Sequence, residues 1–291
     1  LKNATTVVLT TSKQAEGNVY SLSVAGVKDE SSNAIAADTS VDVHGFVFAL
    51  GYLKFEYFAG ITGNRVEDLV EEDKYLNNEA DEVLYLSAYD TKTAFDSKGD
   101  NYGARISGWL FPDRGGEYAF FIASDDAGEL YVSSDETKEN LEIVAQELSW
   151  STQFEGGGDE EGYAFDPLEA GNRYYTELIY KEGGGGDGAK VAWRHWDDEE
   201  TISVGKLQPI SGQYIGTYVD PAGSSIKITQ QPQNLTAPLN ATVSLSVGAE
   251  GSSAVGSHVQ YQWRKNGADI AGANGAVLEL SGYTPDDTGA V

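Results

Sequence analysis

The 291-residue sequence contains no cysteine and no methionine. Without cysteine, the chain forms neither a disulfide nor a thiolate metal site, and it has no thiol nucleophile. Methionine is missing even from the first position, which is Leu1. Because the chain opens on Leu1 and closes on Val291 in the middle of strand-like patterns, we expect a fragment of a longer multidomain chain.

Basic residues and long apolar runs are also scarce. Lys and Arg number 19 against 46 Asp and Glu, which gives a formal net charge of −27. A surface of this charge repels nucleic acids and anionic membranes and attracts cations, so we expect neither of the first two as a partner. No apolar run approaches the roughly 18 residues of a membrane-spanning helix.

Glycine and aromatic residues are abundant instead, with 34 Gly, 17 Tyr and 10 Phe. Short alternating runs lie between clusters of Gly, Asn, Asp and Ser, a pattern typical of an all-β sandwich or barrel. Residues 64–79 indicate a helical turn or two at most. The strands predicted for the central part of the chain are 52–58, 103–111, 117–123, 129–133, 141–148, 174–180 and 189–195.

One predicted strand, 117–123, is apolar on both of its alternating faces. Tyr118, Phe120 and Ile122 share one face, and Ala119, Phe121 and Ala123 share the other. We therefore expect this strand to be central and covered on both sides. We also assign Trp109 and Trp193, which lie inside predicted strands, to the core.

The composition divides the chain into three parts. Residues 1–44 contain "YSLSVAGVKDESSNAIA", which resembles the closing hairpin of a bacterial Ig-like domain; alternatively, this strand pair belongs to the next domain. Residues 45–220 form the main unit, and "PAGSS" after it is typical of a linker. Residues 221–291 resemble a truncated immunoglobulin-like domain, with Trp263 at the position of the core tryptophan.

Two features of the main unit suggest a cation site. Asp125 and Asp126 are adjacent between two predicted strands, and "KEGGGGDGA" at 181–189 joins two others. Each feature alone has a plain explanation, because aspartate favours turns and glycine runs are usually flexible loops. Together, on two predicted hairpin tips at one end of a sandwich, they provide carboxylate and carbonyl oxygens, the ligands that calcium prefers.

Longer motifs identify a family resemblance. "DNYGARISGWLFPDRGGEYAFFIASDDAGELYVSSDE" and "LEAGNRYYTELIYKEGGGGDGAKVAWR" resemble the PA-fourteen domain over about residues 45–215. This β-sandwich occurs in adhesins, glycosidases and flocculins. The resemblance implies that Asp125 and Asp126, joined by a cis peptide bond, hold one calcium ion, and that a sugar diol completes its ligand shell.

The same resemblance implies the other ligands. Asp187 is expected as a side-chain ligand, with main-chain carbonyls from the glycine loop, and three aromatic residues in or beside loops are candidates for stacking on a sugar ring. The glycines are Gly185, Gly186 and Gly188, and the aromatic residues are Trp150, Tyr163 and Trp196. The loop departs from several lectin members, which carry Asn or Gln there.

Catalytic motifs are missing from the sequence. It has no G-x-S-x-G elbow and no H-E-x-x-H motif, and the three histidines, His44, His195 and His258, lack metal-ligand spacing. Composition does not exclude a pair of carboxylates for glycoside hydrolysis, because acidic residues occur throughout this chain. We therefore expect no enzyme activity in this part.

These observations predict a calcium-dependent carbohydrate-binding module, of lectin or adhesin type, in a large extracellular or cell-surface bacterial protein. Two alternatives remain at this point. The domain is a structural spacer stiffened by calcium, or it is an accessory module of a polysaccharide-degrading enzyme.

Overall fold

The computed structural model describes residues 12, 14–26, 28, 31–33, 39–163, 167–256, 259, 261–282 and 284. The prediction for His258, and the end of the predicted immunoglobulin-like domain at residues 285–291, therefore lie outside the described residues. The contacts divide the chain into two compact units, Leu1–Asp220 and Pro221–Val291.

The first unit is built almost entirely of strands. Its elements are β1 Val19–Val24, β2 Thr39–His44, β3 Val47–Leu50, β4 Leu53–Ala59, α1 Val66–Val70, α2 Asp73–Leu76, β5 Glu82–Leu86, β6 Tyr102–Leu110, β7 Tyr118–Asp125, β8 Gly128–Ser133, β9 Leu141–Glu147, β10 Glu161–Tyr163, β11 Tyr174–Glu182, β12 Gly188–His195 and β13 Ile215–Val219. Short 3-10 turns cover Thr91–Thr93, Lys138–Asn140, Gly158–Glu160, Trp196–Asp198, Val204–Lys206 and Gly212–Tyr214.

Two sheets form the sandwich of the first unit. In the larger one the strand order is β3-β13-β6-β11-β8-β9, with β4 beside β6 and β5 beside β4. The smaller one has the order β10-β7-β12. The main core lies between them and contains Ile106 and Leu178 of the large sheet and Phe120, Ile122 and Val191 of the small one. The all-β sandwich predicted from the sequence is confirmed.

Strand β7 is the centre of the small sheet, and seven of its eight residues are buried. Its second face, with Ala119, Phe121 and Ala123, packs in a separate cluster with Phe154 and Leu207 from connecting segments. The apolar character of both faces therefore predicted its position correctly, because loops cover the side that the large sheet does not.

The two short helices fall within the stretch 64–79, as the sequence indicated. Helix α1 places Leu69 against β6, where a Cβ atom on Gly103 would lie 2.6 Å from the Leu69 methyl carbons. A glycine at this position therefore allows the helix to approach the sheet closely. Within the described residues, no helix has the length and apolar character needed to cross a membrane.

The tryptophan assignments were only partly right. Trp193 is half-buried and packs against the main core. Trp109 is also half-buried, but it lines a pocket on the outer face of the large sheet. The alternation along β6 explains the error, since Ile106 and Leu110 point into the core and odd-numbered neighbours such as Trp109 point away from it.

The flanking segments form small antiparallel sheets. Strands β1 and β2 pair with each other, and their contacts group them with the first unit. The second unit contains β14 Ser225–Gln230, β15 Val243–Ser246, β16 Gly248–Ser252, β17 Arg264–Lys265, β18 Ala268–Asp269 and β19 Val277–Leu280. Trp263 is half-buried, and its Nε1 donates to the Gly275 carbonyl at 2.8 Å. The Ig-like assignments, and the boundary after residue 44, stay predictions.

Candidate functional site

The aspartate pair and the glycine loop lie next to each other at one end of the sandwich. The sequence predicted two hairpins there, and this prediction is wrong. Strand β7 pairs with β12 in the small sheet, whereas β8 pairs with β11 in the large one. Both connections, β7–β8 and β11–β12, therefore cross from one sheet to the other. Because their flanking strands are neighbours in both sheets, the two loops are held side by side.

The peptide bond between Asp125 and Asp126 is cis, as the family resemblance implied. Hydrogen bonds hold the two aspartates against the glycine loop. The Tyr180 hydroxyl donates to the Asp125 carbonyl at 2.9 Å, and the main-chain N–H of Gly183 donates to Oδ2 of Asp126 at 2.9 Å. Asp125 also faces Gly188 in the register between β7 and β12. Both aspartates thus contact the segment that the sequence suggested as the second half of the site.

The glycine loop leaves almost no room between its main chain and the aspartates. A Cβ atom on Gly186 would lie 2.7 Å from Oδ2 of Asp125, and one on Gly183 would lie 3.1 Å from Oδ2 of Asp126. Gly185 and Gly188 have φ angles of +120° and +142°, values that residues with side chains rarely adopt. The absence of a side chain at Gly186 therefore lets the main chain of the loop approach Asp125 closely.

Asp187 lies in the same loop, but its carboxylate already has partners. Oδ1 contacts Nζ of Lys92 at 3.0 Å, and Oδ2 accepts from the main-chain N–H of Lys98 at 2.7 Å and from the Tyr102 hydroxyl at 3.0 Å. Burial opposes ionisation, but these hydrogen bonds outweigh it and lower the pKa of Asp187. The role of Asp187 as a metal ligand stays a prediction. An ion bound there would compete with Nζ of Lys92 for Oδ1.

Glu182 is the residue that the sequence reasoning missed. Its side chain is fully buried, and neither carboxylate oxygen has a hydrogen-bond partner among the described residues. Burial, reinforced by the charges of Asp126 and Asp125, raises its pKa to about 7. The signal was present in the alternation of β11, where Leu178, Tyr180 and Glu182 share the face that points into the sandwich.

Several carboxylates influence one another electrostatically in this region. Burial and the neighbouring Asp126 also raise the pKa of Asp125. The nearest buried cation, Lys181, directs its Nζ to the carbonyls of Gly63 and Glu182, at 2.7 and 2.6 Å. Burial lowers the pKa of Lys181, although the nearby carboxylates of Asp68, Glu182 and Asp126 oppose this shift.

The fit to a metal ion can be judged from the donors present. Within the described part of the chain, no group of three or more acidic or histidine side chains is already gathered around one point. A complete set of oxygens here therefore draws on main-chain carbonyls of the glycine loop, as calcium shells commonly do. A buried carboxylate without a hydrogen-bond partner among the described residues, and a loop whose Gly183 and Gly186 lie tightly against the aspartates, both fit a hard cation of this kind.

A pocket of about 130 Å³ opens beside the aspartates. Asp125, Asp187 and Lys92 line it together with Ser151 and Lys190. Trp150 forms a main-chain bridge with Asp125, and 64% of its surface is exposed. The main chain of this aromatic residue is therefore placed beside Asp125, and its role in stacking on a sugar stays a prediction.

The other two predicted aromatic residues do not lie at this site. Tyr163 pairs with Ala119, near the opposite end of β7 from Asp125, and Trp196 follows His195, which pairs with Tyr118. Ala119 and Asp125 are six positions apart, which is a distance of roughly 20 Å along a strand. Tyr163 and Trp196 instead contact each other, with ring centroids 6.2 Å apart.

Comparisons with known proteins are consistent with this fold. The profile of the PA14 domain matches residues 56–204. A curated mouse protein, N-acetyl-beta-glucosaminyl-glycoprotein 4-beta-N-acetylgalactosaminyltransferase 1, is 32% identical over 144 residues, which is 47% of this chain and 13% of the mouse protein. The chain thus aligns with only about an eighth of that relative.

Two solved structures are similar in fold. The PA14 sugar-binding domain from an RTX adhesin is 17% identical, with 58% of this chain and 99% of that chain covered and a TM-score of 0.41. The epithelial adhesin 9 A domain from Candida glabrata, solved with Galb1-4GlcNAc, is 14% identical, with 60% and 93% covered and a TM-score of 0.43. Since the profile match spans more than half of the residues, the chain belongs to the PA14 domain family.

Proposed function

We propose that this chain is a calcium-dependent carbohydrate-binding module, of lectin or adhesin type, from a large extracellular bacterial protein. The observation that carries the proposal is Glu182, a fully buried carboxylate that has no hydrogen-bond partner among the described residues and whose pKa is raised by burial and by the charges of Asp126 and Asp125. Buried charges are normally paired or bound to a metal, because an unpaired one is costly. Membership of the PA14 family supports the same assignment.

The residues that would hold the ion are the side chains of Asp125, Asp126 and Glu182, with carbonyls of Gly185, Gly186 and Gly188. Asp187 would join them if the ion replaced Lys92 at its Oδ1. When bound, calcium supplies positive charge and open coordination positions for neighbouring sugar hydroxyls. The protein's own groups orient the site: Tyr180 and Gly183 hold the aspartates through the hydrogen bonds described above.

The pocket beside Asp125 provides the space for a sugar. Ser151 and Thr152 line it with hydroxyl groups, and Lys92 and Lys190 line it with ammonium donors. Trp150, whose main chain bridges Asp125, has an exposed side chain beside this strand end. One module that contacts a sugar through so few groups binds it with modest affinity, so adhesion would depend on several copies acting together. No catalytic role is proposed for these residues.

The decisive experiment has two measurements. Calorimetry of calcium added to the metal-free protein should show one saturable site, and a glycan array should give signals with calcium that chelation abolishes. Calcium binding without any calcium-dependent glycan signal would contradict the carbohydrate role. Absence of saturable calcium binding would contradict the whole proposal.

Two alternatives have specific support. The burial of Glu182 also suits a spacer that calcium stiffens, in which case calcium raises the melting temperature and no glycan binds. The mouse relative carries a glycosyltransferase name, and only a small part of it aligns with this chain, which suits an accessory module of an enzyme. In that case, the same glycans would be recognised by this module and by a catalytic domain in the same protein.

A further inference from the structure

A second pocket lies on the outer face of the large sheet, away from the aspartate pair. Its volume is about 330 Å³, within the range of small-molecule sites, and its lining includes Arg105, Ser107 and Trp109 of β6. These three residues alternate along the strand, so they share the face that points away from the core. This pocket will be called the outer pocket.

The outer pocket exists because a small residue is surrounded by large ones. Ser107 faces Lys54 on β4 and Glu177 on β11 in the strand register. Along β6 itself, Arg105 and Trp109 flank it. The short serine side chain therefore forms a floor, and the four longer side chains form walls.

The charges in the walls are unusual for this protein. Lys54, Arg105 and Lys138 stand against Glu56 and Glu177, a surplus of one positive charge in a chain whose net charge is −27. Both carboxylates are nearly buried, and both are already neutralised. Glu56 contacts Lys54 at 2.7 Å and Arg105 at 2.8 Å, and Glu177 contacts Lys138 at 2.6 Å.

Most of the unused bonding capacity is that of donors. The contacts of Arg105 with Glu56 and Asn78 use two of its five N–H groups. The Lys138 ammonium uses one of its three N–H groups on Glu177, and its side chain is 56% exposed. Glu177 also accepts from the Tyr175 hydroxyl at 2.8 Å, and this bond and the Lys138 contact share its Oε1. Such a site favours a ligand that brings an anionic acceptor.

One wall is aromatic. The rings of Trp109 and Tyr175 contact edge to face, with centroids 5.2 Å apart, and Trp109 is fixed by a 2.9 Å hydrogen bond from its Nε1 to the Glu136 carbonyl. Half-buried, rigid aromatic surfaces stack well on the apolar face of a pyranose ring. The combination of this wall with the cationic donors suits a sugar that carries a negative group.

We propose that the outer pocket binds a single acidic sugar residue, such as a uronic acid or a sulfated hexose, independently of calcium. The ligand is one residue and not a polyanionic chain, because the charge of the whole protein repels extended polyanions. At physiological ionic strength this repulsion is screened beyond about 8 Å, so the local cations govern the approach of a small monoanion.

The test uses the full chain in EDTA, so that its outcome is independent of the calcium site. The indole N–H signal of Trp109 in NMR spectra serves as the local reporter. The probes are methyl glucuronide, methyl galactoside 6-sulfate, neutral methyl glucoside and sodium sulfate. We expect a saturable shift with one or both acidic sugars, weaker binding in high salt, and no saturation with the neutral sugar.

Variants locate the binding. Lys138→Ala should weaken binding about two- to five-fold, as expected for one partly exposed ion pair, and Ser107→Phe should abolish it by filling the floor. Lys206→Ala removes an exposed lysine outside the pocket and should have no effect. If Ser107→Phe does not fold, as judged by its melting curve, Lys138→Ala decides the question.

Several results would overturn the proposal. If methyl glucoside bound as tightly as the acidic sugars, charge would play no part in recognition. If sulfate alone bound as tightly as the acidic sugars, the pocket would be a simple anion site. Equal affinity of Lys138→Ala and Lys206→Ala for the acidic sugar would place the binding elsewhere. Failure of the calcium experiments described above would leave this pocket unaffected, since neither its residues nor its test involves the ion.

Discussion

The main-chain N–H of Gly183 donates a 2.9 Å hydrogen bond to Oδ2 of Asp126. This bond joins two loops that lie 57 residues apart in sequence and that each connect the two sheets. The position of the aspartate pair therefore depends on the glycine loop. Substitutions in either loop should alter calcium binding at the same site.

Asp126→Asn should weaken calcium binding by roughly tenfold or more, because it removes one charged ligand whose contribution is about 1.5–3 kcal/mol. Calorimetry of the metal-free protein measures the effect. Asp159→Asn is the matched control, since it makes the same change at an exposed position in a 3-10 turn. Equal affinities of the two variants would exclude Asp126 as a ligand.

Gly186→Ala should reduce calcium affinity more than Gly184→Ala does. A Cβ atom at 186 would lie 2.7 Å from Oδ2 of Asp125 and must displace that carboxylate. At 184 the nearest atom, the carboxyl carbon of Asp100, is 3.7 Å away, an ordinary contact. Neither glycine has a positive φ angle, so the comparison isolates the steric effect. A larger loss for Gly184→Ala would contradict the arrangement.

Glu182 should make the stability of the calcium-free protein depend on pH. Its pKa is about 7 in the folded state, against an ordinary value near 4.5. Between these values the folded protein retains a proton that the unfolded chain releases, so the free energy of unfolding falls as pH rises from about 4.5 to about 7. The shifted pKa of Asp125 acts in the same direction.

Melting temperatures measured in EDTA from pH 4.5 to 8 check this prediction. Glu182→Gln should flatten the decline, and Glu200→Gln, at an exposed position, should leave it unchanged. The same slope in Glu182→Gln and in the unaltered chain would show that another group causes the decline.

Lys92→Gln should strengthen calcium binding if Asp187 is a ligand. Nζ of Lys92 lies 3.0 Å from Oδ1 of Asp187, so it competes with an ion for that oxygen. Lys206→Gln removes the same charge from an exposed site and measures the general electrostatic effect. Equal gains in the two variants would leave Asp187 outside the ligand set.

Trp150 and Tyr163 should differ in their effect on glycan binding. Trp150 bridges Asp125 through its main chain, whereas Tyr163 pairs with Ala119 near the far end of β7. Trp150→Ala should therefore weaken a calcium-dependent glycan signal, and Tyr163→Ala should preserve it. Loss of the signal in Tyr163→Ala alone would place the sugar on the opposite end of the sandwich.

Local sequence patterns predicted a good part of this structure. Alternation located the strands, and the double apolar face of β7 identified the central strand of the small sheet. Adjacent aspartates and the glycine run, read within the PA14 pattern, predicted that two particular loops meet. These features depend on residues close together in sequence or on motifs of fixed order, so they can be read without coordinates.

Only the tertiary structure decided which strands are partners. Period-two alternation shows that Arg105, Ser107 and Trp109 share a face, but not that this face is turned away from the core. The loops at Asp126 and Gly183 cross between sheets because β7 pairs with β12 and β8 with β11, pairings between residues far apart in the chain. Burial of Glu182 follows from the same packing, since β11 directs that carboxylate into the sandwich.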